Sequence, residues 1–446
     1  MPKAAFTTLG CKVNQYETQR ILDTFEEAGF GIVPFESPAD VYVINTCSVT
    51  SIAESKSRYV IRRATRNNPS AKVIVTGCAA QMASNKEQIL EGADILVPNP
   101  NKLNALDYLF KAFPEMKNWV HAEPALKNHS FIQERTRATL KIQDGCSIYC
   151  SYCSIPYTRP VMTSKPAKEI LAEAERMVAL GHLEIIITGV LIGSYGPETG
   201  SNGPNFEDLV EKLTEIRGLA RIRISSIEMR QVTPRLIDLL KNNSKLVPHL
   251  HIPLQSGDSE VLKDMNRPYT QEDYLRLCTT LYQEIPDFSL TTDIMVGFPT
   301  ETKDRFQSTV KVCREAKYLK AHLFRFSPRY GTPADQWGDP IPPREKQLRS
   351  QELIKLTQIT REEHCKRFLG RTIRVLVEGK QQKDGLLQGL TDNYLEVHFA
   401  GPKTLVHQMA FVRLNTFRQG ILYGEFVGLE AEKTSAIKRL TSLKVL

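Results

Sequence analysis

The apolar positions of the first hundred residues come in short unbroken runs, not in alternation. Ala4-Ala5-Phe6-Thr7-Thr8-Leu9, Asp40-Val41-Tyr42-Val43-Ile44-Asn45 and Ala71-Lys72-Val73-Ile74-Val75-Thr76 are such runs, and the last two are rich in β-branched residues. Runs of this kind predict buried parallel strands, covered on both faces. Each is followed by apolar residues at helical spacing, over residues 15–28, 52–66 and 85–91. The repeated strand–helix order predicts a doubly wound α/β domain.

The alternation resumes further along. Strand-like runs at residues 138–143, 184–188, 221–226, 249–253, 290–296 and 321–326 are separated by helical patterns. Six such βα units predict an open, partial (β/α)6 barrel. From about Lys366 the segments become short: 372–378, 385–390, 394–398, 404–406 and 420–426, punctuated by Gly379, Gly401 and Gly420. That is the pattern of a small antiparallel β-barrel. The expected class is α/β, divided at residues 1–130, 131–365 and 366–430. A mixed-charge tail, 431–446, is expected to be a short docked helix or disordered.

Length and composition narrow the reading. A chain of 446 residues accommodates two to four domains. With 41% apolar and 24% charged residues it is neither collagenous, nor wholly disordered, nor a disulfide scaffold. No segment approaches the roughly 18 to 20 apolar residues that span a bilayer. The first fourteen residues lack a basic-then-apolar leader, so a cytoplasmic protein with no membrane partner is expected. The net charge of +8 permits an anionic partner without demanding one. Nine cysteines in such a chain suit metal binding or catalysis better than disulfides.

Six of the nine stand in telling places. Cys11, Cys47 and Cys78 each follow one of the three N-terminal strands. Ligands of doubly wound sheets sit beyond the carboxyl ends of the strands, so these thiols would emerge on one edge. Three converging thiolates could hold an iron–sulfur cluster with one iron lacking a protein ligand. A single cysteine would more simply be a small buried hydrophobe. The same placement in three repeats reverses that preference. A structural zinc site wants a fourth ligand, and His121 and His129 lie well downstream.

The second set is compact: Cys146-Ser147-Ile148-Tyr149-Cys150-Ser151-Tyr152-Cys153, after the turn Asp144-Gly145. Three thiolates in one tight loop can bind three irons of a cubic cluster and leave the fourth open. The alternative is a zinc knuckle short of one ligand. Active sites of βα barrels lie at the C-terminal ends of the strands. Thr188, Gly189, Ser225, Ser226, Glu228, Gln255, Ser256, Gly257, Asp293 and Gly297 fall there. Singly, each is as well explained as a turn or helix cap; together they form a polar rim. Cys278, Cys313 and Cys365 lie in amphipathic helical patterns and read as core. His249 and His251, near a strand end, read as structural.

These residues, taken in order, resemble the methylthiotransferase family of radical S-adenosylmethionine (SAM) enzymes, over residues 3–428. The loop with Tyr152 before its last cysteine resembles the radical SAM superfamily as a whole. Leu9-Gly10-Cys11-Lys12-Val13-Asn14-Gln15-Tyr16-Glu17, Asn45-Thr46-Cys47-Ser48-Val49-Thr50 and Thr76-Gly77-Cys78-Ala79-Ala80-Gln81 resemble the methylthiotransferase family, as do Thr188-Gly189-Val190, His251-Ile252-Pro253-Leu254-Gln255-Ser256-Gly257 and Gly297-Phe298-Pro299-Thr300-Glu301. The segment around Cys11 is most similar to the branch that acts on threonylcarbamoyladenosine, the base 3′ of the tRNA anticodon. Other branches act on isopentenyladenosine or on an aspartate of a ribosomal protein. After Ile155-Pro156-Tyr157-Thr158-Arg159 the family continues with glycine and further arginines; here Pro160-Val161-Met162-Thr163-Ser164-Lys165 follows, so no substrate contact carries over to that loop.

The resemblance implies two 4Fe–4S clusters, one on Cys146, Cys150 and Cys153 and one on Cys11, Cys47 and Cys78. It implies SAM held by Tyr152, Thr188, Gly189, Ser226, Glu228, Gln255, Asp293 and Gly297. The implied reaction is reductive SAM cleavage, hydrogen abstraction from adenine C2 and insertion of a methylated sulfur. Its partners would be tRNA, an electron donor protein and a sulfur donor, with the chain acting as a monomer. The C-terminal barrel resembles the TRAM domain, an RNA-binding module, although residues 366–430 carry nine Lys/Arg against six Asp/Glu, a balance that a plain solvated surface explains equally. A denser block is Lys56, Arg58, Arg62, Arg63, Arg66 and Lys72, opposed by Glu54. Arg58, Arg62 and Arg66 share one helical face and could contact RNA phosphates, or simply be solvated. A different class of reading is a noncatalytic RNA-binding protein with structural metal sites.

Overall fold

The structure is a computed structural model and describes residues 1–119, 136–197, 203–382 and 385–430. His121, His129 and the tail lie outside the described residues.

Strands β1 (Lys3–Thr8), β2 (Gly31–Val33), β3 (Val41–Thr46), β4 (Lys72–Gly77) and β5 (Ile95–Val97) form a parallel sheet in the order β2-β1-β3-β4-β5. The unbroken apolar runs are explained by two cores. Ala4, Val41, Val43 and Ile74 pack with Ile21 and Phe25 on one face. Ala5, Tyr42, Ile44, Val73 and Val75 pack with Ile61 and Ala64 on the other. The edge strands β2 and β5 have three residues each, too few to register as a pattern. The third helix is Cys78–Asn85, not 85–91 as the spacing suggests. It starts on the cysteine itself, because Ala79, Ala80, Met82 and Ala83 are strong helix formers. Gly77 makes that start possible: at φ +92° it brings the backbone so close that a Cβ would sit 2.3 Å from the Thr46 carbonyl oxygen.

The central domain contains β6 (Arg137–Lys141), β7 (Gln143–Asp144), β8 (Thr163–Ser164), β9 (Glu184–Thr188), β10 (Arg221–Ile224), β11 (His249–His251), β12 (Ser289–Val296) and β13 (Lys320–Arg325). Two parallel sheets, β10-β9-β6 and β11-β12-β13, are joined by the bridges Ile222–Leu246 and Ser226–His251. The result is an open six-stranded wall around one apolar core that includes Cys278 and Cys313. The expected strand 138–143 is split at Ile142. Gln143 leaves the ladder because its amide is spent on a turn: Nε2 donates to the Asp144 and Gly145 carbonyls, and Oε1 accepts from Val190 and Leu191. The short pair β7–β8 then closes the altered loop 160–165 against Asp144.

The C-terminal barrel consists of β14 (Thr372–Gln381), β15 (Leu387–Thr391), β16 (Glu396–Ala400), β17 (Met409–Arg418) and β18 (Ile421–Leu429), closed in the order β14-β15-β16-β18-β17. Its pairs are antiparallel except β16–β18, which is parallel. The expected strand 404–406 is part of a single 3₁₀ turn, Lys403–Leu405. The long strand β17 escapes the sequence pattern because bulges at Phe411/Val412 and Leu414/Thr416 interrupt its alternation. Cys365 packs in this core.

This barrel docks on the N-terminal ends of the central strands. Glu184, fully buried at the base of β9, pairs with Arg221 and Arg223. Arg221 reaches on to Asp392 at 2.7 Å and to the Leu390 carbonyl at 3.0 Å. The His249 ring stacks on Tyr394 at 4.5 Å, and Arg371 pairs with Asp287. The C-terminal ends of the strands are left to the cysteines.

Candidate functional site

The two cysteine sets line one chamber. Cys11 precedes the helix Lys12–Glu27, Cys47 follows β3 and Cys78 opens the helix after β4. All three line a cavity of about 420 Å³ together with Cys146, Cys150 and Cys153. Gly10, at φ +96°, permits the closest approach: a Cβ there would lie 2.9 Å from the Cys47 Sγ. Cys47 and Cys78 are buried, while Cys11 is accessible from within the chamber. Burial pushes the Cys47 thiol up to about 11, helped by the neighbouring Cys78 and Cys11. Burial likewise raises Cys11, with Arg159 acting in the other direction. Thiols held neutral in this way become thiolates when a metal takes the place of the proton.

Behind Cys11 and Cys78 lies a buried ionic network that the sequence reading did not find. Glu17 accepts from Lys102 (2.6 Å), Lys141 (2.6 Å) and Arg159 (2.8 Å). Arg159 also grips Asp144 at 2.7 Å and donates to Asn14 Oδ1 at 3.0 Å. Burial alone would raise the Glu17 carboxyl, but Lys102, Arg159 and Lys141 outweigh it and hold it well below the usual range. Glu17 and Lys102 come from the N-terminal domain; Lys141, Asp144 and Arg159 come from the central one. The network therefore joins the domains beside the dispersed cysteines.

The compact loop is clamped from residues 264–267. The Ser151 amide donates to the Met265 carbonyl and its hydroxyl to that of Asp264. Asn266 donates to the Ile148 and Tyr149 carbonyls. Arg267 donates to Cys150 Sγ at 3.3 Å and to both Glu228 oxygens, at 2.7 and 2.6 Å. Burial pushes Cys153 up to about 12, with the neighbouring Cys150 adding to the rise. Tyr152 lines the chamber and meets Phe298 edge-on at 6.4 Å. Arg267 was missed; the signal available was an Asn-Arg-Pro turn after a short helix, with no apolar periodicity to account for it.

Of the expected rim, Thr188, Gly189, Ser225, Ser226, Glu228, Gln255 and Asp293 line the chamber, and Ser256 and Gly257 lie outside its lining. Gly297 is not among the residues that line it. Its amide donates to Glu301 at 2.6 Å, and the Lys346 stem fills the place where a Cβ would go, 2.4 Å away. Two rim carboxylates are already engaged, Glu228 by Arg267 and Asp293 by His251 at 3.2 Å. His249 is buried between Thr291 and Tyr394, a structural position. Arg58, Arg62 and Arg66 are exposed on the helix Ser51–Asn67, outside the chamber. Arg58 pairs with Glu54 at 2.8 Å, and Arg66 lies over the Tyr59 ring.

The donor set suits iron–sulfur clusters. Each set offers three thiols, and the two carboxylates that line the chamber, Glu228 and Asp293, are paired with Arg267 and His251. Among the described residues no three His, Cys, Asp or Glu side chains gather tightly enough to hold a single ion. Zinc needs its ligands drawn around one point, whereas the thiolates of a cluster sit on different irons. Among the described residues no helix is long and apolar enough to cross a membrane.

Comparison with known proteins finds matches along nearly the whole chain. Residues 140–313 match the radical SAM superfamily, residues 3–97 match the uncharacterized protein family UPF0004, and residues 366–427 match the TRAM domain. The chain is similar to the threonylcarbamoyladenosine tRNA methylthiotransferase MtaB of Bacillus subtilis, with 36% identity covering 99% of this chain and 100% of the relative. The Thermotoga maritima protein of the same name is 35% identical, covering 90% and 92%. The tRNA-2-methylthio-N(6)-dimethylallyladenosine synthase of Geobacillus kaustophilus is 33% identical, covering 94% and 81%. Among solved structures, the radical S-adenosylmethionine methyltransferase TsrM of Kitasatospora setae shares the fold, with a TM-score of 0.52 at 14% identity over 73% of each chain. With such identity along its whole length and three domain matches in this order, the chain belongs to the methylthiotransferase family of radical SAM enzymes.

Proposed function

We propose that this enzyme modifies tRNA by placing a methylthio group on C2 of threonylcarbamoyladenosine beside the anticodon. The observation that carries the reading is that two separate thiol triads line one chamber. The names of the B. subtilis and T. maritima relatives support the choice of base. The C2–H bond of adenine has no useful acidity at pH 7, so general acid–base groups do not activate it. Bound 4Fe–4S clusters and SAM supply the one-electron chemistry and the methylated sulfur that such a bond requires.

The chain's own residues hold and arrange these groups. Cys146, Cys150 and Cys153 would hold one cluster and Cys11, Cys47 and Cys78 the other, three protein thiolates for each. Thr188, Gly189, Ser226, Gln255 and Asp293 offer polar partners to SAM, with Tyr152 beside it. Glu228 fixes Arg267, and Arg267 positions the Cys150 loop. The Glu17–Arg159 network fixes the distance between the two halves. Val49, Ile148 and Phe324 on the chamber wall keep water from the reacting atoms. Arg58, Arg62 and Arg66 contact RNA phosphates. An electron donor protein and a source of reduced sulfur complete each turnover, and the chain works as a monomer.

Mass analysis of tRNA nucleosides from a strain lacking the gene tests this. Loss of the methylthio form of threonylcarbamoyladenosine, restored by the gene, is expected. Loss of methylthio-isopentenyladenosine in its place, or of a modified ribosomal aspartate, overturns the substrate. About eight irons per reconstituted chain are expected; zinc in their stead overturns the mechanism and favours a binding protein.

A further inference from the structure

We propose that a second, smaller cavity, behind the Cys47 and Cys78 loops, binds the small reduced-sulfur anion, hydrosulfide, that renews the sulfur used in each methylthiolation. The proposal rests on the function above. The cavity measures about 80 Å³. It is lined by Ser48 and Ala79, the residues that follow Cys47 and Cys78, so it borders the two segments that carry those cysteines, while the thiols themselves line the main chamber.

Its chemistry suits an anion. Arg58, Lys86 and Arg329 line it against one carboxylate, Glu54. Arg58 and Arg329 share that carboxylate, at 2.8 and 3.2 Å. Lys86 lies over the Tyr330 ring at 3.9 Å, and no carboxylate among the described residues pairs with it. The Ser48 hydroxyl, 5% exposed, has no hydrogen-bond partner. A buried unpartnered hydroxyl beside excess positive charge is a donor waiting for an anion.

Its position suits a supply route. Arg329 and Ser154 line both the small cavity and the main chamber, and so form the partition between them. SAM and a nucleobase would occupy the chamber. A sulfur atom consumed once per turnover would have to pass both if it came from the front. The small cavity meets the chamber at Arg329 and Ser154, so an anion held there waits beside the Cys47 and Cys78 segments without displacing either. The anion must be small, because the space accommodates only a few atoms.

The test uses reconstituted holoenzyme with sodium sulfide as the sulfur source. Met82 and Lys86 line the small cavity and stand outside the chamber. Met82→Trp fills the cavity and Lys86→Glu reverses its charge. Each is expected to raise the half-saturating sulfide concentration about tenfold, the equivalent of about 1.4 kcal/mol. Reductive SAM cleavage, RNA affinity and the first turnover from sulfur already loaded should not change. Bromide, similar to hydrosulfide in size and charge, gives a readout independent of activity. Crystals soaked in bromide should show an anomalous peak between Ser48 and Lys86, absent in Lys86→Glu. Unchanged sulfide dependence in both variants overturns the proposal, and with a bromide peak present it would mean an adventitious ion only. Absence of the peak in the wild type also overturns it. A wild type that never methylthiolates RNA would sink the proposed function instead, while the bromide experiment still decides the cavity.

Discussion

The two cysteine triads face the same space but are built by different means. Cys146, Cys150 and Cys153 lie within eight residues of one loop, and residues 264–267 clamp that loop from outside. Cys11, Cys47 and Cys78 are spread over three strand ends. They meet because β1, β3 and β4 are neighbours in the sheet, where adjacent strands run about 4.8 Å apart. The compact triad is a local motif carried by a turn. The dispersed triad is a property of the folded domain and of its seat against the barrel, so anything that loosens that seat should reach it first.

The largest effects separate the triads by chemistry. Cys150→Ala should bring reductive SAM cleavage below detection. Cys47→Ala should spare that cleavage and stop sulfur insertion, as product analysis of anaerobically reconstituted protein will read. A Cys47→Ala enzyme that still makes methylthiolated RNA would erase the distinction. Next comes the joint between the domains. Arg159→Ala strands buried carboxylates and should cost about 3–5 kcal/mol in unfolding experiments. Its iron content should fall toward about four per chain as the dispersed triad loses its cluster and the compact one keeps its own. Equal loss from both sets would show that the network supports the whole chamber.

Arg267→Lys probes the compact side. An ammonium cannot grip both Glu228 oxygens and Cys150 together, so SAM cleavage should drop about 10- to 100-fold while the iron content holds. The smallest effect concerns the outer helix. Arg62→Ala and Arg66→Ala should each reduce the salt dependence of RNA binding by about one counterion and leave SAM cleavage untouched. An unchanged slope would make that face merely solvated.

Much of this was legible in the chain because the pattern and the physics coincide. Strands β1, β3 and β4 read clearly since both their faces are covered, and the six cysteines read clearly since repetition and tight spacing are local signals. The misses share a cause. Glu17 and Arg159 are 142 residues apart and meet only when two domains do, and Arg267 lies 117 residues from Cys150 and meets it only when the central domain closes. Strand β17 was hidden by its bulges, and the third helix lies earlier than the apolar spacing over 85–91 suggests because Cys78 is its first residue.

The docking of the C-terminal barrel on the bases of the central strands sets a length requirement. Glu184 holds the arginines that grip that barrel, and Thr188, at the other end of the same strand, lines the chamber. Along β9 alone these points are roughly 13 Å apart, with a packed interior between them. A polymer gripped at the lower end must therefore travel along the outside of the wall to present a base at the upper one. For an RNA held by that barrel, how far the strand reaches past its anchor would become part of what is recognised.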